Sequence, residues 1–275
     1  MGETNGIIRV FPRRTKASPT DELAFFGPPG LFKPEAERVM VSCTFTADRA
    51  RAERLAEDWR RAGYRNVQIG GPAYGDPGGD FEPGMFLGPG RTITSRGCHN
   101  RCPFCFAWRR EGPIRPTAIR EGNILLDNNI LACPKSHIET VFDMLSHQHH
   151  VELSGGIEAA LVDDFAISQL RRVSIRQVFL AYDLPHQDKP CRAALSRLTT
   201  AGFRLRQLRV YILAGFFPDD TPAKARLRAE NVLEWGGLPF LMLYQPDADS
   251  PKVYNHDWRN LAREFTRPAA MLRRR

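Results

Sequence analysis

One segment decides the expected fold: Thr94-Ser95-Arg96-Gly97-Cys98-His99-Asn100-Arg101-Cys102-Pro103-Phe104-Cys105. Its three cysteines have the spacing C-x3-C-x2-C and follow residues 91–94, which read as a strand. Three thiolates this close together repel one another unless a metal centre neutralises their charge. Thiolates are also the usual ligands of iron–sulfur clusters. The segment therefore predicts a metal centre on a loop that follows the first strand of a sheet, with Gly97 in the turn.

Downstream of this segment, strand-like and helix-like stretches alternate. The candidate strands are residues 91–94, 124–127, 151–153, 177–181, 208–213 and 240–244, and the candidate helices are 135–147, 158–172, 190–201 and 222–235. Thr221 before Pro222 and Gly236 at the far end are strong boundary signals for the last helix. Alternation of this kind favours an α/β fold with a parallel sheet. Six strands fit a partial (β/α)6 TIM-type barrel over residues 91–245, with its active site at the carboxyl ends of the strands.

Three further regions complete the predicted organisation. Residues 1–38 are rich in Pro and Gly and read as an irregular N-terminal arm. Residues 39–90 read as a small βαβ Rossmann-like unit and a crossing loop, with a helix from about Arg49 to Ala62 that Asp48 would cap. Residues 246–275 form a C-terminal segment whose Trp258 and Phe265 are expected to pack against the core.

Composition limits the compartment and the partners. No run of eighteen uncharged apolar residues occurs, so we expect no membrane span. Residues 1–10 lack the apolar core of a secretion signal, so we expect a cytoplasmic location. Cys43, Cys133 and Cys191 are too scattered to indicate a second cluster, and each is expected to be a small buried apolar residue. The net charge is +8, from 39 Lys and Arg against 31 Asp and Glu, and residues 273–275 are all arginine. This excess makes RNA a candidate partner.

The number of cysteines in the segment separates two kinds of metal site. A four-iron cluster held by three cysteines keeps one iron open to an outside ligand. The alternative is a structural zinc site, completed by His99 or a distant histidine, in a protein whose basic surface contacts nucleic acid. Zinc sites of this kind more often contain paired C-x2-C units, and the chain has no second pair.

The motif resembles the signature of the radical S-adenosylmethionine (SAM) superfamily, which has an aromatic residue before the last cysteine, as Phe104 is here. The resemblance implies that Cys98, Cys102 and Cys105 ligate a 4Fe–4S cluster and that SAM binds its open iron. It further implies reductive cleavage of SAM to a 5′-deoxyadenosyl radical, which abstracts hydrogen from a substrate that the sequence does not identify. An external electron donor of the flavodoxin or ferredoxin type is implied as well.

The resemblance also suggests contacts to SAM at later strand ends. Family members often have Gly-Gly-Glu after the second strand, whereas this chain has Leu126-Asp127-Asn128-Asn129. Asp127 or Asn128 would then accept from the SAM ammonium, the alternative being a turn or helix cap. Glu158, after a Gly-Gly pair, would meet the ribose hydroxyls or would open a helix instead. Gly215 resembles the apolar contact to adenine.

The upstream βαβ unit resembles, on a smaller scale, the cobalamin-binding domains found ahead of some radical SAM cores. Residues 39–90 contain no Asp-x-His-x-x-Gly motif, so cobalamin is not expected. The prolines at 113 and 116 leave little room for a helix after the first barrel strand.

Overall fold

The structure, a computed structural model, describes residues 6–31, 33–246, 251–268 and 271. The arginines at 273–275 lie outside these residues. The N-terminal part contains β1 (Ile7–Val10), β2 (Ala24–Phe25), β3 (Arg38–Ser42), α1 (Arg49–Arg61) and β4 (Val67–Gly70). These strands form a parallel sheet in the order β2-β1-β3-β4. The predicted βαβ unit is confirmed as β3, α1 and β4.

We expected residues 1–38 to be irregular, but β1 lies inside the N-terminal sheet. Its four residues are all buried, and Arg9 among them pairs with Asp21 and donates to the carbonyl of Gly84 at 2.8 Å. A buried guanidinium with partners on two loops is compatible with a strand interior. Asp48 precedes α1 as predicted, but its side chain makes no capping bond and pairs with Arg13 instead.

The rest of the chain builds a second sheet. In order along the chain, its elements are β5 (Arg91–Thr92), β6 (Ser95–Arg96), α2 (Ala107–Glu111), β7 (Arg115–Pro116), β8 (Ile124–Leu125), α3 (Lys135–Ser146), β9 (Val151–Glu158), α4 (Asp164–Arg171), β10 (Ile175–Ala181), α5 (Asp188–Thr200), β11 (Leu208–Ala214), α6 (Pro222–Glu234), β12 (Leu238–Leu243) and α7 (His256–Thr266).

Six of these strands pair in parallel and in sequential order, β5-β8-β9-β10-β11-β12, while β6 and β7 form a separate antiparallel pair. The predicted α/β fold with a parallel sheet is confirmed. Thr221 caps α6 as expected, accepting from the amide of Lys224. Between β5 and β8 the prolines leave room only for the short helix α2 and the β6–β7 pair.

The strands predicted over 91–94 and 124–127 are shorter in the structure, and the boundary predicted after the third strand is wrong. Residues 154–158 were expected to form a turn or open a helix after the third strand, yet they continue β9 to Glu158, and α4 begins only at Asp164. Gly155 explains the difference, because a Cβ atom at that position would lie 2.0 Å from the carbonyl oxygen of Asp127. The glycine permits a close approach of two backbones at the end of the strand.

Apolar side chains form two clusters. One lies in the N-terminal part around Ile8, Val41 and Trp59, and the other joins the six-stranded sheet to its helices. Phe265 is buried in the second cluster and Trp258 packs against it, which confirms the expected docking of the C-terminal segment. Cys43, Cys133 and Cys191 are buried, as predicted. Within the described residues, no helix has both the length and the apolar character needed to cross a membrane.

Candidate functional site

Residues 97–106, here called the cysteine loop, connect β6 to α2 and carry the three motif cysteines. Gly97 has φ +79°, and a Cβ atom there would lie 2.2 Å from the carbonyl oxygen of Pro113, so the turn requires glycine. The indole nitrogen of Trp108 donates to the carbonyl of Cys102 at 3.0 Å. The loop is thus held at its first residue by the tight turn at Gly97 and near its middle by Trp108 of α2.

The three thiols are free and half-buried. Removal from water raises the pKa of the Cys98 thiol, and the neighbouring Cys105 and Glu158 raise it further. Desolvation also raises the pKa of Cys102 to about 11, assisted by Cys105, Asp183 and Cys98. The sulfurs therefore lie close enough to oppose one another's ionisation, and a bound cationic centre would favour the thiolates that ligation needs.

The arrangement of possible ligands bears on the kind of metal site. Among the described residues, no three His, Cys, Asp or Glu side chains meet closely enough to hold a single metal ion. Thiolates are ligands both of zinc and of iron–sulfur clusters. Three free, mutually interacting thiols on one loop are compatible with a cluster as a donor set.

Asp127 holds the segment that leads into the cysteine loop. Its buried carboxylate accepts from the amide of Thr94 at 2.6 Å, from the Thr94 hydroxyl at 2.8 Å and from the Ser95 hydroxyl at 2.5 Å. Burial raises the pKa of Asp127, although these three donors oppose the shift. Both carboxylate oxygens accept hydrogen bonds from the protein itself, so we assign Asp127 to the support of the loop and not to a contact with SAM.

Asn128 and Glu111 form a second support. The Glu111 carboxylate accepts from the Gly97 amide at 2.9 Å and from the Asn128 side chain at 2.7 Å, and it pairs with Arg110. Burial opposes ionisation of Glu111, but the Gly97 amide and Arg110 outweigh it and lower the pKa. Asn128, predicted as an acceptor for SAM, donates here to the loop's support. Glu111 was missed because a carboxylate after two arginines on a short helix looks like a solvated surface.

Glu158, at the end of β9, reaches the cysteine loop. Its Oε2 accepts from the Asn100 side chain at 2.7 Å and from Asn129 at 2.9 Å, and it lies 2.9 Å from His99 Nε2. About a fifth of its side chain (22%) stays accessible. The Asn129 side chain also acts to lower the pKa of the Cys98 thiol, against the effect of burial. Glu158 and the cysteine loop are therefore brought together, and Asn129, which the sequence gave no reason to select, links them.

Phe104 places the cysteine loop against the ends of later strands. Its ring meets Phe216 edge to face at 5.4 Å, and Phe216 contacts Tyr244 at 4.8 Å. Gly215, immediately before Phe216, donates its amide to Asp220 at 2.6 Å and accepts from Lys252. The ends of β11 and β12 therefore form an aromatic wall beside the loop, with Gly215 behind it.

Asp183 follows β10 and is half-buried. It accepts from the amide of Leu213 at 2.8 Å. Burial raises its pKa to about 6, and Arg228 limits the rise. Its charge in turn raises the pKa of Cys102, so this carboxyl lies within electrostatic reach of the cysteine loop. Asp183 thus belongs to the site, while the preceding Tyr182 is buried.

Comparison with known proteins leaves the site to be interpreted from its own chemistry. No protein-family model matches the chain, and no curated protein matches its sequence.

Proposed function

We propose that this chain is a radical SAM enzyme in which Cys98, Cys102 and Cys105 hold a 4Fe–4S cluster. When bound, the cluster and SAM would supply a 5′-deoxyadenosyl radical for hydrogen abstraction, the electron coming from an external flavodoxin or ferredoxin type donor. The free thiols and the absence of disulfides among the described cysteines support a reducing, cytoplasmic setting.

Convergence of successive strand ends on the cysteine loop is the observation that carries the proposal. The loop follows β6, which comes shortly after β5 in the chain, and each later strand of the six-stranded sheet contributes a neighbour to the loop or to its supports. These neighbours are Asp127 after β8, Glu158 at the end of β9, Asp183 after β10, Phe216 after β11 and Tyr244 after β12. Active sites of parallel α/β folds lie at this edge. The sequential strand order further supports our proposal of a partial (β/α)6 barrel.

The protein's own groups have separable tasks in this proposal. Asp127 and Glu111 hold the two sides of the cysteine loop. Glu158 keeps accessible carboxylate surface beside the loop and is the residue that we assign to a polar group of SAM. The ring of Phe104 with Phe216 excludes water from one side. Asp183, with a pKa of about 6, is able to hold or release a proton near neutral pH.

The test is anaerobic reconstitution followed by iron, sulfide and zinc analysis and by detection of 5′-deoxyadenosine under reducing conditions. Wild type should bind iron and sulfide and cleave SAM. Cys102→Ala should abolish cleavage while retaining its circular dichroism spectrum. Cys191→Ala, which alters a buried thiol on α5, should cleave SAM as wild type does. Zinc without iron, or cleavage that survives Cys102→Ala, would refute the proposal.

A further inference from the structure

Two exposed phenylalanines line one cavity of about 810 Å³. Phe45 is 49% exposed and Phe106 is 48% exposed, which is unusual for such large apolar side chains. Phe45 follows β3 in the N-terminal sheet, and Phe106 is the last residue of the cysteine loop. The cavity therefore lies between the carboxyl edge of the N-terminal sheet and the site proposed above, and Gln245 after β12 also lines it. Exposed apolar groups gathered in a cavity indicate ligand binding.

Arginines surround these rings. Arg13, Arg49, Arg109 and Arg110 line the cavity, and the described residues that line it include no Asp or Glu. The Arg13 guanidinium lies 5.3 Å from the Phe45 ring centre, and that of Arg109 lies 5.9 Å from the ring centre of Phe106. Each exposed ring is therefore accompanied by a cation.

Pairing reduces this charge but leaves an excess. Arg13 pairs with Asp48, and Arg110 pairs with Glu111, in both cases with a carboxylate that does not line the cavity. Arg109 donates instead to the neutral carbonyl of Pro103 at 3.1 Å. Among the described residues, the cavity wall therefore keeps the charge of Arg109 beside an aromatic ring, and a positive, partly enclosed wall attracts anionic ligands.

The basic and aromatic surface continues beyond the cavity. A neighbouring cavity of about 330 Å³ shares Arg13, Thr44 and Phe45 with it and adds Lys16, together with one carboxylate, Asp48, which pairs with Arg13. We call the two cavities together the Phe45 groove. Because the two cavities share the exposed Phe45 ring, the groove suits an extended ligand better than a small one.

We propose that the Phe45 groove binds single-stranded nucleic acid, with bases stacked on Phe45 and Phe106 and phosphates near the arginines. Interleaved aromatic rings and cations are the features by which proteins hold unpaired strands. A duplex would leave the rings without a partner, because its base faces are covered. The further step, that the bound strand is the substrate, rests on the proposed radical SAM function, because Phe106, which lines the groove, is the residue next to Cys105 in the chain.

The experiment measures fluorescence anisotropy of labelled single-stranded RNA and DNA of about a dozen nucleotides with the reconstituted full-length protein, and assays SAM cleavage in the same samples. Phe45→Ala should weaken binding about 10-fold. Arg109→Ala should lower the slope of log affinity against log salt by about 1. Leu227→Ala, an exposed apolar control on α6, and Arg192→Ala, an exposed arginine control on α5, should bind as wild type does.

The outcomes separate this inference from the proposed function. Preference for either RNA or DNA supports the groove and identifies its strand. Equal binding of duplex, or undiminished binding by Phe45→Ala, overturns the groove even where SAM is cleaved. Binding that depends on Phe45 in a protein that takes up no iron sustains the groove and overturns the radical SAM function.

Discussion

Replacement of Glu111 by Gln tests how the cysteine loop is held in position. The carboxylate is almost fully buried, with 3% of the side chain exposed, and accepts from Gly97 and Asn128 while pairing with Arg110. Gln keeps the shape but has one acceptor oxygen. In its better orientation it still accepts from Gly97 and Asn128 and turns its amino group toward Arg110.

The expected loss follows from these contacts. The Arg110 bond disappears and the two remaining bonds are no longer charge-assisted, so Glu111→Gln should lower the free energy of unfolding by about 3 kcal/mol. Glu121→Gln, at an exposed position in the following loop, is the control and should change it by less than about 0.5 kcal/mol. Urea unfolding of the metal-free proteins, followed by circular dichroism, measures both.

The effect of pH has a defined sign. Because the folded pKa of Glu111 lies below its ordinary value of 4.5, its stabilisation is present above pH 4.5 and is lost as the pH falls through the folded value. The gap between wild type and Glu111→Gln should therefore shrink on acidification. The proposed role of Glu111 would be contradicted if Glu111→Gln were as stable as Glu121→Gln. It would also be contradicted if the difference in free energy of unfolding between wild type and Glu111→Gln did not change with pH.

Three further outcomes are expected. Gly155→Ala should cost about 3 kcal/mol by overpacking against the neighbouring strand end, and should lower iron uptake on reconstitution, whereas Gly79→Ala, with open space around it, should cost little. In the metal-free protein the folded pKa of Cys102, about 11, lies above its ordinary value of 9.0, so its contribution to stability is complete below pH 9.0 and is lost as the pH rises toward 11. The melting temperature should therefore decrease over this pH range, and should decrease less in Cys102→Ala. Thr221→Ala should lower the free energy of unfolding by about 1 kcal/mol by removing the bond from the Lys224 amide, while Thr221→Ser should keep it.

The sequence predicted the elements whose signals are local. The apolar runs of β10, β11 and β12 and the capped helix α6 lie close to their expected positions. The strand β1 was missed because its four residues are followed closely by Pro12, and because what makes it a strand is pairing with β3, about thirty residues away. A local sequence pattern does not indicate pairing with a strand that is distant in the chain.

The same distinction holds for the site. The cysteine spacing identified the loop, and Glu158 was selected by its place after a strand, although the strand proved longer. The Gly155-Gly156 pair suggested a turn, since nothing in the local sequence reveals that the end of β8 passes against Gly155. Glu111 accepts from Gly97 and Asn128, and Asn129 donates to Glu158, all of them distant in sequence, which is why composition and spacing did not select these two residues.

In the proposed enzyme, three cysteine ligands leave one iron of the cluster open to SAM. Electron paramagnetic resonance of the anaerobically reconstituted, reduced protein examines that feature directly. We predict a signal of a reduced 4Fe–4S cluster that changes on addition of SAM. A preparation without iron, or a cluster signal that SAM leaves unaltered, would contradict the central claim.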